Sequence, residues 1–582
     1  MMKINKQLNH TAAHVLALAI LQLWPDTKLG FGPPTEDGFY YDFLFSKSLS
    51  ETDLSKIEKQ MRKIVSNNYV IKKMDKSFEY DFSNQPFKKE LYDEFKSKDL
   101  DITYYSIHDP KNNKELFVDL CAGNHIDEIK TLKHFKLLSL AGSYWRGDSN
   151  NVQLTRIYGT AWESEEELEQ YLNLLKERKE RDHRKIGKEM NLFMFDLLSG
   201  QGFPIWLEEG MKIRNRIMKE VKNLDSKYGF SEVFTPIVGE KKLYLTSGHW
   251  EHYKNDMFKP IDCDGEHLVL RPMTCPHHVL IYKSKRRSYR ELPIRYSEQS
   301  SLFRYEKSGA LIGMERVRAM LLTEGHIFVR QDQIDKEFEN CYKMIKEALD
   351  IFNIKIDYIS LSLRDPQNKE KFFDDEKMWN DAENDLRNVL KKLNIEYEEK
   401  IGEAAFYGPK VDIQIKTFLG HEITLSTIQL DFLLPRKFGL DYIDSNNEFK
   451  VPILIHRGLI GTYERFLSIM LEQTKGNFPF WLAPKQVVII PINNDLYLNF
   501  CEQLYYELKE KQFYVEIDDR NERISKKIRE AQISKAKIQI VIGEEEISTN
   551  KLSLRFYGES EVIKIDRDKL VEYLEKLRDE KK

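Results

Sequence analysis

The chain has 582 residues, enough for about four folding units of typical size. Hydrophobic residues make up 41% of it and aromatic residues 12%, which excludes disordered, collagen-like and low-complexity proteins. Its 90 lysines and arginines nearly balance its 94 aspartates and glutamates, and the net charge of −4 excludes a globally basic nucleic-acid binder while leaving a local basic face open.

The cysteines and the apolar runs bear on the compartment. The 5 cysteines contain no CxxC pair, and a sparse, odd set in so long a chain argues against a secreted disulfide scaffold. No run approaches the ~20 apolar residues of a membrane span. The run VLALAIL follows Lys3 and Lys6 as in a signal peptide, but no A-x-A cleavage site comes after it. We therefore expect a cytoplasmic protein with no membrane partner.

Four regions follow one another along the chain, and together they predict an α+β multidomain protein. Residues 1–162 mix short alternating strands (GFYYDF, LFVDL, VQLTRIY) with helices. Residues 163–190 are acidic first and basic last, with few apolar positions, which is typical of a solvated connecting helix. Residues 191–482 contain strands such as KVDIQIKTF and KVPILIHRG, whose alternation favours an antiparallel sheet. Residues 483–582 alternate strands and helices, which predicts a small α/β domain.

A first set of polar residues lies in the N-terminal region. His10 and His14 share one face if their segment is helical. The motif DLCAGNH supplies Cys121 and His125 at the same spacing, beside Asp119. Such residues suit a zinc site, and they suit equally a cluster that positions water for ester hydrolysis. Spacing leaves both possibilities open, together with four unrelated buried residues.

A second set is spread over the large central region. RPMTCPHH contains Cys275, TEGHIF contains His326 and VPILIHRG contains His456, all three suitable as zinc ligands. They are far apart in the sequence, and nothing in the spacing shows that they converge. Other residues compete with them as ligands: Cys263, His267, His277 and His278.

Arginines form a third set. SLFRYEKSG places Arg304 and Glu306 on a predicted strand, ERVRAM adds Arg316 and Arg318, and Arg465 follows at a strand-to-helix passage. Guanidinium groups bind phosphate through paired hydrogen bonds, and a neighbouring glutamate can read an amino group or hold Mg²⁺. A surface ion pair between Arg304 and Glu306 is the alternative. The chain contains no GxxxxGK[ST] or GxGxxG loop.

A basic stretch, RNERISKKIREAQISKAK, lies near the C-terminus. On an otherwise acidic protein it is a candidate contact for RNA phosphates, or else a solvated helix face. Its basic residues outnumber its two acidic ones, Glu522 and Glu530: Arg520, Arg523, Lys526, Lys527, Arg529, Lys535 and Lys537.

Together these motifs resemble the bacterial threonyl-tRNA synthetases, which are class II aminoacyl-tRNA synthetases, and the resemblance covers almost the entire chain. The helix in MKIRNRIMKEVKNLDSKYGFSEVFTP, extending to Pro236, resembles motif 1; Arg304-Tyr305-Glu306 resembles motif 2; HRGLIGTYERF resembles motif 3. The motifs PM-x-CP, HIF, GEAAFYGPK, IQLDF and IHR are typical of the threonine enzyme, and HTAAH, PFKKEL, DLCAGNH and RIYGTAW resemble its editing domain. The last hundred residues resemble the anticodon-binding domain of several class II enzymes.

The resemblance implies a role for each matching residue. One Zn²⁺ per subunit would be held by Cys275, His326 and His456, and ATP with Mg²⁺ would meet Arg304, Glu306, Arg316 and Arg465. Residues implied to line the threonine pocket are Met273, Glu324, Tyr407, Lys410 and Gln429. Residues implied in editing of seryl-tRNA(Thr), without a metal, are His10, His14, Lys88, Asp119, Cys121 and His125. Residues implied to contact tRNA are Arg520, Asn521, Glu522, Lys526 and Arg529.

The resemblance also implies domain limits, partners and an assembly. We expect an editing domain at 1–162, a linker helix at 163–190, a catalytic domain at 191–482 and an anticodon-binding domain at 483–582. The implied partners are ATP, L-threonine, tRNA(Thr) and a second copy, because motif 1 forms a homodimer in this class. The implied activity is ATP-dependent attachment of threonine to tRNA(Thr).

The chain departs from the family pattern at identifiable positions. The family commonly begins with a small ubiquitin-like module, whereas this sequence begins at the editing motifs. Glu324 stands where the family has an aspartate that touches the substrate, Leu322 stands where it has glutamine, and Ile312 where it has histidine. The additional methylene of Glu324 would either push its carboxylate into the pocket or be absorbed by Gly325.

Overall fold

The computed structural model describes residues 4–75, 78–121, 123–148 and 150–582. The chain forms two compact units, Met1–Glu177 and Arg178–Lys582, called the N-terminal and C-terminal units below. Helices and mostly antiparallel sheets occur in both, as the α+β multidomain prediction requires. Among the described residues, none of the helices combines the length and apolar character that crossing a membrane demands.

The N-terminal unit surrounds one long helix with two antiparallel sheets. The Asn5 side chain caps this helix by accepting a hydrogen bond from the Leu8 amide at 3.1 Å. Its helices are α1 (Lys6–Leu23), α2 (Asp53–Ser66), α3 (Pro86–Ser97) and α4 (Glu165–Arg181), the last of which extends past Glu177. Its strands are β1 (Lys28–Leu29), β2 (Phe39–Leu44), β3 (Val70–Lys73), β4 (Tyr104–Asp109), β5 (Lys114–Leu120), β6 (His134–Tyr144) and β7 (Gln153–Trp162). The sheets have the orders β1-β2-β7-β6 and β3-β4-β5, and the three predicted strands are confirmed as parts of β2, β5 and β7.

The connecting segment departs from the prediction of one solvated helix. Helix α4 ends at Arg181, and a second helix, α5 (His183–Glu189), begins after Asp182, whose carboxylate accepts a hydrogen bond from the Arg184 amide at 2.9 Å. Aspartate is a favoured helix cap, so it starts a new helix where charge polarity alone suggested continuity. The second helix is not solvated, because His183 and Ile186 are buried in the C-terminal unit.

The C-terminal unit is built on an eight-stranded sheet. Its helices are α6 (Glu208–Lys227), α7 (Lys241–Ser247), α8 (His249–Tyr253), α9 (Cys275–Lys283), α10 (Ile334–Ile351), α11 (Glu376–Lys392), α12 (Leu434–Lys437), α13 (Tyr463–Thr474), α14 (Asn494–Glu510), α15 (Ile524–Ile533), α16 (Glu544–Thr549) and α17 (Leu570–Asp579). Strands β8–β17 are Phe193–Met194, Ile205–Trp206, Ser231–Glu232, Val238–Glu240, Ile261–Cys263, Glu266–Leu270, Ile294–Phe303, Ala319–Val329, Tyr358–Leu363 and Glu398–Ile401. Strands β18–β27 are Lys410–Lys416, Glu422–Asp431, Tyr442–Ile443, Phe449–Lys450, Ile453–Thr462, Val487–Pro491, Val515–Ile517, Ile538–Ile542, Lys551–Phe556 and Val562–Asp566.

The order of the large sheet is β10-β14-β15-β22-β19-β18-β16-β17, and its central pairs are antiparallel, as predicted. Successive residues of a strand face opposite sides of a sheet. In β15, Ile327 and Val329 therefore join the core against helices such as α10, while His326 and Phe328 point to the other side. This second face carries the candidate active site.

The motif 1 segment is shorter as a helix than predicted. Helix α6 ends at Lys227, and the chain continues through the short strand β10 rather than as helix to Pro236. Apolar residues at helical spacing, Ile213, Ile217 and Val221, bury one face of α6. Near its end, Asp225 pairs with the fully buried Arg457 of β22 at 2.5 Å. The helix is thereby tied to the centre of the sheet.

The last part of the unit confirms the small α/β prediction. The strand order is β24-β23-β25-β26-β27, in which β24, β23 and β25 are parallel, β26 pairs antiparallel to β25, and β27 pairs antiparallel to β26. Helices α14 and α17 pack their apolar residues against one face of this sheet. The parallel pairs are joined through helices α14 and α15, as parallel connections require.

Candidate active sites

A cluster of one cysteine and two histidines lies at the middle of the large sheet. His326 on β15 and His456 on β22 are cross-strand partners, and their Nε2 and Nδ1 atoms are 3.0 Å apart. Cys275 joins them from the first residue of α9. One ligand atom from each of the three lies within 4.8 Å of the others, and all three residues are buried. The structure thus brings together residues that the sequence separates widely.

Hydrogen bonds behind the cluster fix which ring nitrogens are free. The Asp431 carboxylate accepts from His456 Nε2 at 2.9 Å, which leaves the lone pair of neutral His456 on Nδ1. The Glu298 carboxylate accepts from His278 Nε2 at 3.1 Å, so Nδ1 of neutral His278 accepts from His326 Nδ1 at 2.9 Å. The lone pair of His326 then remains on Nε2. Two lone pairs consequently face each other, an arrangement that suits a shared cation.

Burial favours the neutral forms of His326 and Cys275. It lowers the pKa of His326 well below its usual value, with His278 and His456 adding to the effect. Burial also raises the pKa of the Cys275 thiol, and the nearby carboxylate of Glu324 raises it further. A sulfur with two imidazole nitrogens is a donor set that zinc prefers, and zinc would deprotonate the thiol on binding. The residues present therefore fit a zinc ion.

The competing ligands fall outside this cluster. Cys263 is exposed. His267 is bound to Asp262 on the surface. His278 acts behind His326, and His277, whose pKa burial lowers to about 4, lies near Tyr244.

The residues implied to bind threonine surround the cluster. The Tyr407 ring stacks on His456 at 4.9 Å between centroids, and its hydroxyl donates to Gln429 Oε1 at 2.6 Å. Gln429 is the cross-strand partner of both His456 and Lys410. The Lys410 ammonium is not free, because it binds Asp412 at 2.6 Å.

Glu324 lies on β15 two residues before His326, on the same face of the strand. Its Oε2 atom is buried and has no hydrogen-bond partner among the described residues. A buried carboxylate oxygen without a partner is costly, and a cationic substrate group would satisfy it. The pairing of β15 with β22 is interrupted by a bulge between Leu322 and Glu324. Met273, half-buried just before Cys275, packs in the same apolar cluster as Tyr407.

The implied ATP residues lie around the end of β14 and the start of α13. The prediction that Arg304 and Glu306 lie on a strand is wrong, because strand β14 ends at Phe303. Beyond it, the Tyr305 amide donates to the Asp256 carbonyl, outside the sheet. The expected alternative, an Arg304–Glu306 ion pair, is also not formed, because Glu306 pairs with Arg316 at 3.0 Å.

Arg465 is positioned by the helix that carries it. The Thr462 hydroxyl accepts from the Arg465 amide at 3.2 Å and caps α13 at the end of β22. The Arg465 side chain donates to the Glu315 carbonyl at 3.1 Å. Burial, followed by the nearby Arg304, lowers the pKa of this guanidinium, so positive charge is concentrated where an anion would relieve it.

Several site residues were missed by sequence reasoning. Asp431, Glu298 and Arg271 form the network behind the zinc candidates, and only the quoted motif IQLDF gave a signal for the first. His249, at the start of α8, places its Nε2 3.7 Å from Cys275 Sγ, and burial lowers its pKa to about 3. The motif SGHW offers no spacing signal for this residue.

The N-terminal histidines and cysteine also converge, which overturns the alternative of unrelated buried residues. The Cys121 sulfur lies 3.2 Å from His10 Nε2 and 3.3 Å from His125 Nε2. The rings of His14 and His125 are 4.4 Å apart. His10 and His14 share a face of α1, as predicted, so a helix and the chain after β5 build the cluster together.

Asp119 organises the floor of this site. It forms a buried ion pair with Lys88 of α3 and accepts a hydrogen bond from the Tyr41 hydroxyl at 2.6 Å. Tyr41 was not selected from the sequence. Burial raises its pKa well above the usual value, so the hydroxyl stays protonated and keeps donating. The Lys88 ammonium is thus held beside the histidines by Asp119, and the ring nitrogens of the histidines keep their lone pairs.

The titrating groups of this cluster are tuned toward neutral forms. Burial lowers the pKa of His10, His14 and His125. His10 lowers the pKa of His14 further, and His14 and His10 lower that of His125 further. Burial raises the pKa of Cys121 to about 12. The thiol is therefore protonated and a poor nucleophile at neutral pH, whereas the imidazoles are available as bases.

The basic stretch near the C-terminus is only partly a helix and only partly free. Helix α15 begins at Ile524, after Arg520 and Glu522. Lys527 is buried and donates to the Asp518 carbonyl, so it does not belong to a solvent-facing stripe. Arg520 binds Asp518 and Glu530, and Lys526 binds Glu522. Asn521 and Arg529 are exposed.

Comparison with known families divides the chain in the same order. Residues 102–158 match the family described as the threonyl and alanyl tRNA synthetase second additional domain. Residues 257–474 match the class II tRNA synthetase core domain shared by the G, H, P, S and T enzymes. Residues 486–577 match an anticodon binding domain.

Individual relatives agree along nearly the full length. The threonine–tRNA ligase of Mycoplasmopsis pulmonis is 56% identical over 579 residues, which cover 100% of this chain and 98% of that protein. The ligase of Ureaplasma parvum is 50% identical, with 99% of each chain covered. The Staphylococcus aureus ligase is 49% identical over 97% of this chain and 87% of its own length.

Solved structures give the same result. The crystal structure titled the RNA binding domain of threonyl-tRNA synthetase from Cryptosporidium parvum aligns with a TM-score of 0.64 at 33% identity, covering 68% of this chain and 98% of that chain. A putative threonyl-tRNA synthetase from Aeropyrum pernix aligns with a TM-score of 0.59 at 26% identity, covering 69% and 96%. The chain belongs to the threonine–tRNA ligase family of class II aminoacyl-tRNA synthetases.

Proposed function

We propose which residues of this ligase bind threonine, activate it with ATP and hydrolyse mischarged tRNA. Cys275, His326 and His456 would hold one zinc ion, and the observation that supports this assignment is the approach of His326 Nε2 to within 3.0 Å of His456 Nδ1. Bound zinc supplies an open Lewis-acidic position for the amino and hydroxyl groups of threonine. Asp431 and Glu298 keep the two histidines in the ligand tautomers.

The buried, unpartnered carboxylate oxygen of Glu324 accepts an N–H hydrogen bond from the amino group of threonine, whose nitrogen lone pair is left for the zinc. Tyr407, Gln429 and Met273 form the wall around the side chain, and Lys410, restrained by Asp412, borders the pocket. The family's aspartate is one methylene shorter than Glu324. Gly325 does not absorb this difference, because the Arg457 guanidinium fills the space beside it, 2.6 Å from where a Cβ atom would lie.

This assignment accounts for the selectivity the ligase needs. Valine has nearly the shape of threonine, and an apolar pocket would separate the two only about 10²-fold. A site that requires a hydroxyl ligand rejects valine, because the ligand position stays empty. Serine retains both groups and lacks one methyl, a difference of only ~1–3 kcal/mol, so it is activated to some extent. A second, hydrolytic site is then required.

The activation step uses the arginines as charge stabilisers. A threonine carboxylate oxygen attacks the α-phosphorus of ATP, the bond to the β-phosphate oxygen breaks, and pyrophosphate leaves. Arg304, Arg316 and Arg465 neutralise the charge that spreads over the phosphate oxygens, and Mg²⁺ enters with ATP. Glu306 holds Arg316 in place and is available to read the adenine amino group. A tRNA hydroxyl then attacks the threonyl carbonyl, and AMP leaves.

The N-terminal cluster hydrolyses seryl-tRNA(Thr). One neutral imidazole among His10, His14 and His125 takes a proton from water as the water oxygen bonds to the seryl carbonyl carbon, and it returns the proton to the ribose oxygen as the ester bond breaks and serine leaves. The Lys88 ammonium, fixed by Asp119, stabilises the developing oxyanion. Cys121 remains a thiol that orients His10 and His125. The assignment needs no metal here, although the donor set is of a kind that zinc also accepts.

The remaining proposals concern assembly and partners. A second copy covers the surface after α6, where Phe234 is 84% exposed next to the short strand β10. Anticodon-stem phosphates of tRNA(Thr) bind at Arg529, Lys526 and Arg520, with Asn521 and Glu522 at the loop before α15. We place the protein in the cytoplasm, where its tRNA substrate is charged. The working domain limits are 1–162, 163–190, 191–482 and 483–582.

Amino-acid-dependent pyrophosphate exchange tests the catalytic assignment. Purified protein with its zinc content measured should exchange rapidly with threonine, weakly with serine and not detectably with valine. Valine-dependent exchange at the threonine rate would refute the hydroxyl-ligand mechanism without affecting the family assignment.

A further inference from the structure

His183, which has no role in the proposed reaction, contacts the loop that carries one of the proposed ATP-binding arginines, Arg316. His183, the first residue of α5, is fully buried. The Met314 amide donates to its Nε2 at 3.2 Å. Because a backbone amide can only donate, Nε2 carries no proton, and Nδ1–H donates to the Glu472 carboxylate at 2.9 Å. One neutral ring therefore joins the connecting segment, the loop after β14 and helix α13.

The loop segment that His183 holds is where the ATP arginines meet. Met314 binds His183, the Glu315 carbonyl accepts from Arg465, and Arg316 pairs with Glu306. These are three consecutive residues of the loop. A displacement of Met314 would therefore move Arg316 itself together with the Glu315 carbonyl that binds Arg465.

The other end of the contact is equally fixed. Glu472 lies on α13, the helix whose first turn carries Arg465. Arg181, two residues before His183, donates to the carbonyls of Glu472 and Gln473 at 2.8 and 2.9 Å. Cations at a helix C-terminus satisfy its free carbonyls and oppose its dipole. The connecting segment thus binds the C-terminal part of α13 through two nearby residues, Arg181 and His183.

The backbone of the loop is shaped around this histidine. Gly313 has φ +45°, in the left-handed region that favours glycine. A Cβ atom built on it would lie 2.3 Å from His183 Nε2 and 2.8 Å from Arg184 Cγ. A side chain at this position would force the loop away from the ring.

We propose that His183 is a positioning residue of the ATP site. It fixes the distance between the loop that carries Arg316 and the helix that carries Arg465. The inference rests on the proposed ATP role of these arginines. His183 itself touches no substrate. The connecting segment, which the sequence predicts to be only a linker, thereby helps to position the residues that bind ATP.

Two substitutions of the same residue separate its two contacts. His183→Asn keeps a donor near the Nδ1 position for Glu472 and loses the acceptor for Met314. His183→Gln reaches the Nε2 position and loses the donor to Glu472. His134→Asn is the matched control, because His134 also binds a glutamate, Glu165 at 2.7 Å, but lies in the N-terminal unit.

The measurements on the full-length protein are KM for ATP and for threonine in pyrophosphate exchange, active-site titration, and calorimetric binding of ATP alone. Loss of one buried hydrogen bond predicts that His183→Asn raises KM and Kd for ATP about 5–10-fold. KM for threonine and zinc content should stay within about two-fold, and the control should match the parent protein.

A purely structural role has a different signature. It would reduce the titrated fraction of active sites while leaving KM for ATP unchanged, or raise both KM values alike, and either result overturns the proposal. If His183→Asn does not fold, Gly313→Ala makes the same test from the loop side and should also raise KM for ATP. Failure of threonine-dependent exchange in the parent protein would refute the proposed function instead, and calorimetric ATP binding still decides the role of His183.

Discussion

The Asp431 carboxylate lies 2.9 Å from His456 Nε2 and directs the opposite nitrogen of that ring toward His326. The other Asp431 oxygen accepts from the amides of Leu433 and Leu434 at 2.8 and 2.9 Å. One side chain thereby orders both a proposed metal ligand and the chain that follows β19.

Asp431→Asn should weaken zinc binding about 10–100-fold. If the amide keeps its oxygen toward Leu433, its NH₂ group faces His456 Nε2 and drives the proton to Nδ1, which removes the ligand lone pair. Chelator competition measures the affinity. The matched control is Asp262→Asn, because this exposed carboxylate also binds a histidine, His267. Equal zinc affinity in both variants would contradict the role of Asp431.

Cys275→Ser should remove zinc and threonine activation together, because the thiolate supplies one of three protein ligands. Metal analysis should then find no bound zinc at all, since the N-terminal cluster is proposed to act without a metal. Cys263→Ser, at an exposed cysteine, should retain both properties. Residual zinc in the Cys275 variant, lost only on changing Cys121, would place a metal in the editing cluster.

Glu324→Gln should raise KM for threonine about 10–100-fold with little change in KM for ATP. The reason is that a hydrogen bond from the substrate amino group to the charged Glu324 carboxylate contributes ~1.5–3 kcal/mol. Glu324→Asp, which restores the family's residue, should recover much of this loss. Pyrophosphate exchange over a threonine titration gives both constants, and an unaltered threonine KM in the glutamine variant would exclude the contact.

Hydrolysis of seryl-tRNA(Thr) should stay active at pH 6. Burial lowers the pKa of His10, His14 and His125 from 6.5, so these bases remain neutral as the pH falls through the usual titration range of histidine. The acidic limb of the pH–rate profile should therefore lie below pH 6.5. A midpoint at or above 6.5 would show that the rate-determining base is not in this cluster.

Arg529→Glu should weaken tRNA binding more at low salt than at high salt, because a phosphate contact releases counterions. Arg520→Glu should have a smaller effect, since Arg520 is already paired with Asp518 and Glu530. Binding measured across a salt series gives the slope for each variant. Parallel slopes for Arg529→Glu and the parent chain would argue against a phosphate contact.

Much of the fold was predictable because it depends on local pattern. The alternation in KVDIQIKTF and KVPILIHRG identified antiparallel strands, and the helix spacing of His10 and His14 identified their shared face. The breaks were harder. Asp182 starts a new helix by capping it, and Arg304 leaves the sheet because Tyr305 bonds to Asp256. Both depend on single hydrogen bonds rather than on periodicity.

The candidate sites needed more than local pattern. His326 and His456 are 130 residues apart, and only the pairing of β15 with β22 makes them neighbours. Their choice over Cys263 and His267 came from the family resemblance. The supporting residues Glu298 and His183 lie on elements without any motif that would single them out, because their roles arise from burial and from partners brought by the fold.

Strand β22 combines features that a protein engineer would treat as inseparable. Within ten residues it places His456 beside His326, Arg457 against Asp225 of helix α6, and Thr462 as the cap that positions Arg465. Since neighbouring residues face opposite sides, inserting or deleting one would rotate every side chain beyond that point to the wrong face. The length of this strand is therefore as constrained as the residues at these positions, and any chimaera of two such ligases should be joined outside it.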